Sequence, residues 1–211
     1  MQGAIDLSGK CAALALLDEE GKVLLDETVP MRGHESAGLA DWVIARLAGH
    51  GLSPETVRRW TVGSGPGSFT GMRLAASLVA GWHYVHPEID CRSVPSAVSL
   101  AAAIHARPGE KIGALFDGRN REFLVFGLDG EIPAGYDTVA DAARAAEAVA
   151  PFDRLVALGD DFGVLAKLLP EAIFRRVERV ERFSARPLVE SALPFDNDLT
   201  KLVYIRPAVF A

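Results

Sequence analysis

Apolar residues follow two rhythms along this chain: short, nearly unbroken runs, and stripes that recur every three or four positions. Residues 3–7, 11–17 and 22–29 are runs rich in apolar and β-branched types, divided by Ser8-Gly9-Lys10 and by Asp18-Glu19-Glu20-Gly21. Connections that short predict three antiparallel strands. Over 35–49 the rhythm changes, with Leu39, Val43 and Leu47 four apart and Trp42 beside them, which predicts a long helix ended by Gly49 and Gly51. Ser53-Pro54-Glu55 carries the cap, first-turn proline and early acid of a short helical start, and a strand is predicted next at 59–62. A second long helix is predicted over 70–84. There Ala75, Leu78, Val79, Trp82 and Val85 form the stripe, while Gly71, Ala76, Ala80 and Gly81 supply small surfaces. A strand at 91–94 and a helix at 96–106 close this half.

The succession restarts at Lys111: strands at 111–116, 122–128 and 131–136, a helix opened by Asp137, a strand at 154–158, a helix at 162–169 and a strand at 173–177. The order β-β-β-α-β-α-β-α is the ribonuclease H-like layout, an antiparallel meander continued into a mixed sheet with helices on its faces. Two such halves predict an α/β chain of two ribonuclease H-like lobes in an actin-like arrangement of the sugar kinase and Hsp70 type. That architecture alone does not give function. The lobes are expected at 1–108, with the two long helices, and at 109–211, which is smaller; the junction falls near Arg107-Pro108-Gly109.

Charge narrows the function classes. With 22 basic against 28 acidic residues, the 211-residue chain carries −6, which argues against a basic clamp that grips nucleic acid unaided. At 49% apolar and 24% charged the composition is globular. The longest apolar run, 11–17, is too short to cross a bilayer, and no basic segment precedes an apolar one at the N-terminus. A cytoplasmic protein without a membrane partner is expected. Cys11 and Cys91 have no CxxC spacing and read as small core residues.

The most informative candidate for chemistry is Gly63-Ser64-Gly65-Pro66-Gly67-Ser68-Phe69-Thr70-Gly71, between a strand and a helix. Such a turn allows close backbone approach and could seat an anion at the helix start. It matches neither GxxxxGK[ST] nor GxGxxG, and no lysine lies between Lys22 and Lys111, so a structural turn with Ser68 and Thr70 as helix caps is the favoured reading.

Asp6 and Asp117 end the first strand of each half, in Asp6-Leu7-Ser8-Gly9 and Asp117-Gly118-Arg119. In ATPases of this architecture two such turns hold metal-bound phosphates. Asp6, Ser8, Asp117 and Arg119 therefore mark either a vestigial nucleotide cleft or loops stabilised by Asx turns. An actin-like ATPase or small-molecule kinase using Asp6 and Asp117 with magnesium is the alternative function. A ribonuclease H-type nuclease is not expected, because the fourth strand ends in Val62-Gly63-Ser64 without an acid. His83 and His86, three apart near a helix end, suit a surface better than a metal pair, and no metal is expected. The stripes of the two long helices, among them Leu39, Trp42, Val43, Leu47, Ala75, Ala76, Val79, Ala80 and Trp82, fit either core packing or a partner surface.

Gly65-Pro66-Gly67-Ser68-Phe69-Thr70-Gly71-Met72-Arg73 resembles the GPGSFTGxR signature of the TsaB (YeaZ) family, bacterial proteins of the threonylcarbamoyladenosine (t6A) pathway in tRNA modification. Ala4-Ile5-Asp6-Leu7-Ser8 resembles its AIDTS strand end, His34-Glu35-Ser36 the start of its first helix, Asp117-Gly118-Arg119 its DAR turn, and Val203-Tyr204-Ile205-Arg206 its closing VYLR. The chain departs from these at Leu7 and Gly118. The resemblance implies a subunit without catalysis or cofactor of its own that pairs with the catalytic relative TsaD, which transfers the threonylcarbamoyl group to the adenosine beside the anticodon. It implies that the helices over 36–49 and 70–84, Met72 included, bundle with TsaD or with a second copy. It also implies that the ATPase TsaE joins and that tRNA is reached only through the complex. The catalytic relative carries a metal-binding HxxxH, which Gly38 leaves incomplete after His34.

Overall fold

The computed structural model describes residues 1–31 and 33–205. Arg206 of the closing motif lies outside them. Two compact units form, Met1–Ser96 with Ser184–Leu202, and Ala97–Phe183 with residues 203–205.

In the first unit β1 (Gln2–Asp6), β2 (Cys11–Leu17) and β3 (Val23–Pro30) make the antiparallel meander that short turns dictate. A 3-10 turn at Gly33–Gly38 precedes α1 (Leu39–Gly49), so the regular helix begins after the two glycines rather than at residue 35. Glycine is the residue that least favours helix propagation apart from proline. β4 (Arg59–Gly63), α2 (Phe69–Val85) and β5 (Asp90–Val94) complete a sheet ordered β3-β2-β1-β4-β5, with β4 parallel to both neighbours. Trp60 is fully buried on β4, and Gly3 opposite it makes the room, since a Cβ there would lie 2.6 Å from the indole ring. Leu39, Val43 and Leu47 of α1 and Ala75 and Val79 of α2 share one core with Ile5, Leu14 and Val62. Each buried Leu or Val contributes roughly 1.5–3 kcal/mol, which makes these stripes the main anchors of both helices.

The second unit repeats the order. α3 (Ala97–Ala103) is followed by β6 (Lys111–Asp117), β7 (Glu122–Asp129), β8 (Ile132–Asp141), α4 (Ala145–Val149), β9 (Arg154–Leu158), α5 (Gly159–Leu168), α6 (Glu171–Phe174) and β10 (Val177–Val180), with the sheet ordered β10-β9-β6-β7-β8. Two expectations fail here. Asp137 does not open a helix: it pairs with Phe126 in β8, and Asp141 is the acid whose Oδ1 accepts the amides of Ala143 and Arg144 before α4. Nor is 173–177 a strand. Pro170 starts α6, and the strand comes later, where Val177 and Val180 face inward and Glu178 accepts two hydrogen bonds from Arg154 of β9.

The helix that follows β5, α3, lies against β6, β7 and β9, and the helix that follows β10, α7 (Arg186–Glu190), lies against β1, β2 and β4, so each belongs to the unit whose strands it covers. Contacts therefore divide the chain at Ser96 and at Ser184, whereas the sequence suggests a single junction near residue 108. Arg92 on β5 fastens the returning segment. It is 3% exposed, donates to the carbonyls of Leu188, Val189, Ser191 and Leu193 and to Thr61 Oγ1, and lies 4.1 Å over the Phe195 ring. Asn197 then bonds Cys91 through both its own amide and its side chain, covering β5. Among the described residues no helix is long and apolar enough to cross a membrane.

Candidate functional site

The glycine-rich turn joins β4 to α2, and its own chain fills it. A Cβ at Gly63 would collide with the Asp6 carboxylate, at Gly65 with Met72 Sδ, at Gly67 with the carbonyl of Ser8 and at Gly71 with that of Leu7. Gly63, Gly67 and Gly71 serve close packing of the turn on the end of β1 and Gly65 makes room for Met72, and a phosphate cradle would need the space they give up. Ser68 caps α2 by accepting the Gly71 amide at 3.2 Å. Thr70 does not cap; it lies exposed in the first turn. Arg73 stacks over Phe69 at 3.7 Å, one turn apart on the helix.

Asp6 lies at the centre of this packing, 2% exposed. Its Oδ1 accepts the amide and the hydroxyl of Ser8, both at 2.7 Å, and its Oδ2 accepts the hydroxyl of Ser96. Burial raises its pKa above the ordinary 3.8, against the lowering effect of the bonds from Ser96 and Ser8. Both oxygens are engaged inside the fold, so the residues present do not fit a magnesium-nucleotide role for Asp6. Ser8 is buried as well, its hydroxyl 2.9 Å from that of Ser96.

Asp117 belongs to the second unit and is half-buried. Its Oδ1 accepts the Arg119 amide at 2.8 Å, an Asx turn, and its own amide donates to Asp161 Oδ2 at 3.3 Å. Arg119, Asn120 and Arg121 all take left-handed backbone (φ 59°, 48° and 64°) in the hairpin, and the side chain of Arg119 is exposed.

The family resemblance implies ten partner-binding residues on the two long helices. Leu39, Val43, Leu47, Met72, Ala75, Ala76 and Val79 are buried in the first unit and so do not form its outer surface. Trp42 and Trp82 are half-buried against the same core, Trp82 tilted on Trp60 with centroids 4.9 Å apart. Ala80 alone of the ten is exposed. The outer face of α2 runs instead through Arg73, Ser77, Ala80, Gly81 and Tyr84, the last 85% exposed, with Val85 beside it; α1 exposes Ile44, Ala45 and Ala48. Hydrophobic periodicity finds the buried stripe; of the small residues read as packing surfaces, Gly71 and Ala76 are buried and Ala80 and Gly81 are exposed.

His83 Nδ1 lies 2.7 Å from the carbonyl of Ile89, and His86 stands beside Glu88 at 3.7 Å, so the two rings serve the end of α2. His34 is exposed in the 3-10 turn. Among the described residues no three His, Cys, Asp or Glu side chains group as a metal site. Burial, with Asp196, Asp90 and Asp198 nearby, pushes the Cys91 thiol up to about 11; Cys11 is only half-buried.

A family model described as TsaD, tRNA N6-adenosine threonylcarbamoyltransferase, matches residues 31–188. No curated protein sequence matches the chain. Among solved structures, YeaZ from Pseudomonas aeruginosa aligns with TM-score 0.69 at 23% identity over 89% of this chain and 87% of that one. A Pseudomonas aeruginosa protein with similarity to peptidase YEAZ aligns equally well, at 23% identity over 90% of this chain and 88% of that one. At this identity the likeness is one of fold, an α/β actin-like fold of two units.

Proposed function

We propose a function from one premise: this chain belongs to the TsaD family, tRNA N6-adenosine threonylcarbamoyltransferase. Within that family it acts as a non-catalytic scaffold subunit that binds and supports TsaD during threonylcarbamoyl transfer to the adenosine beside the anticodon, in the cytoplasm. The observation that supports a docking role is the two-sided build of α2. Its inner face holds the first core through Ala75 and Val79, while its outer face offers Ser77, Ala80 and Gly81 ending at Tyr84. A row without long side chains lets another helix approach closely, and exposed tyrosines are frequent anchors of interfaces. The same face suits a second copy of this chain when TsaD is absent. TsaE joins the pair, and tRNA is reached through the complex, consistent with a net charge of −6. The alternative, an ATPase or kinase using Asp6 and Asp117 with magnesium, draws no support from Asp6, whose oxygens are taken by Ser8 and Ser96.

Reconstitution tests this reading. TsaD, TsaE, threonylcarbamoyl-adenylate and tRNA are combined with and without this chain, and modified nucleoside is measured. Product that depends on the chain, with no turnover by the chain alone, is expected; equal product without it contradicts the scaffold role.

A further inference from the structure

The Asp6 carboxylate joins three parts of the first unit that are far apart in sequence. Through Ser8 it holds the end of β1, and the carbonyl of Ser8 accepts the amide of Ser68, the N-cap of α2. Through Ser96 it holds the residue where the chain leaves the first unit, and Ser96 grips Gly65 twice, its Oγ accepting the Gly65 amide at 3.1 Å and its amide donating to the Gly65 carbonyl at 2.7 Å. The turn that launches α2 is thus fixed at Gly65 and at Ser68, and the two serines that fix it are oriented by one side chain. Gly63 and Gly67 press on Asp6 and on the Ser8 carbonyl, so the turn has no slack to take up a change.

We infer that Asp6 is a positioning residue for the docking helix: it bolts the turn at 63–71 to Ser8 and Ser96 and thereby sets where the outer face of α2 stands. This rests on the scaffold reading above. The bolt needs hydrogen-bond geometry rather than charge. An asparagine at residue 6 can accept from Ser8 with its oxygen and donate one N–H to Ser96 Oγ, while Ser96 turns its own proton toward Ser8 Oγ; the hydrogen bonds to both serines are kept, and only the second N–H of the amide is left over. A residue that served by holding a cation would not tolerate that exchange.

The test measures TsaD affinity together with amide hydrogen exchange at Gly65, Ser68 and Gly71 in the full chain. Asp6→Asn should bind within about threefold of wild type, whereas Asp6→Ala and Ser96→Ala should each weaken binding about tenfold or more and speed exchange at Gly65 and Ser68 by a similar factor. Ala80→Glu should abolish binding and leave exchange at those amides unchanged. Ser96→Ala keeps the carboxylate and reads the bolt even where Asp6→Ala does not fold. The inference is overturned by wild-type affinity and exchange in Ser96→Ala, or by Asp6→Asn proving as damaging as Asp6→Ala. Should wild-type chain not bind TsaD at all, the scaffold reading fails while the exchange comparison still decides whether Asp6 holds the turn.

Discussion

Arg92 and Arg179 occupy the same register position in their two sheets: Ala4, Thr61 and Arg92 lie side by side across β1, β4 and β5, as Leu115, Ala157 and Arg179 do across β6, β9 and β10. There the likeness stops. Arg92 is buried with four main-chain carbonyls and the Thr61 hydroxyl around it, whereas the Arg179 side chain is 52% exposed and pairs with Glu181 at 3.0 Å. One strand order serves both units, but only the first has its fifth strand covered by the returning segment that Arg92 holds. A buried cation is tolerable there because every donor direction meets an oxygen, including the C-terminal carbonyls of α7, where a positive charge is favoured.

Substitutions can break that contrast in graded steps. Arg92→Met is expected to cost the most, about 3 kcal/mol or more, because it leaves the carbonyls of Leu188 and Val189 without their donor; the loss is read from the denaturation midpoint. Thr61→Val removes one acceptor and strands Arg92 Nε, for about 1–2 kcal/mol. A smaller effect comes from pH. Since burial raises Asp6 in the folded state, its contribution is complete below the ordinary 3.8 and is lost as pH rises through the raised folded value. Stability of Asp6→Asn relative to wild type should therefore shift in favour of the variant as pH rises above the ordinary carboxylate range, and a flat difference would deny the raised value. Arg179→Met should change stability by less than about 0.5 kcal/mol, as befits an exposed ion pair. An effect as large as that of Arg92→Met would erase the distinction between the two sheets.

The order of strands was legible because short turns leave no choice but antiparallel neighbours, and because the same run-and-stripe succession occurs twice. The glycine-rich turn was legible as a turn, and Ser68 as its cap. The role of Arg92 was not: its carbonyl partners lie 96 to 101 residues away in sequence, and no local rhythm announces a segment that returns to an earlier sheet. Asp137 misled because an acid before an alanine-rich stretch resembles a cap, while Tyr136, Thr138 and Val139 favour the strand that β8 forms. On the long helices, pattern reading picked out the residues that build the core. Ala80 and Gly81 were legible as a small surface, whereas Ser77 and Tyr84 stand outside the apolar stripe and are assigned to the outer face by the fold.

Val79 and Ala80 are adjacent in α2, one fully buried and the other exposed, and they separate fold from docking most directly. The decisive measurement is calorimetric titration of TsaD with wild type and with Ala80→Glu, checked against thermal melting of each. Ala80→Glu should melt like wild type yet show no binding, while Tyr84→Ala, losing an anchor of about 2 kcal/mol, should bind about 30-fold more weakly. Undiminished binding by a folded Ala80→Glu protein would contradict a docking role for the outer face of α2.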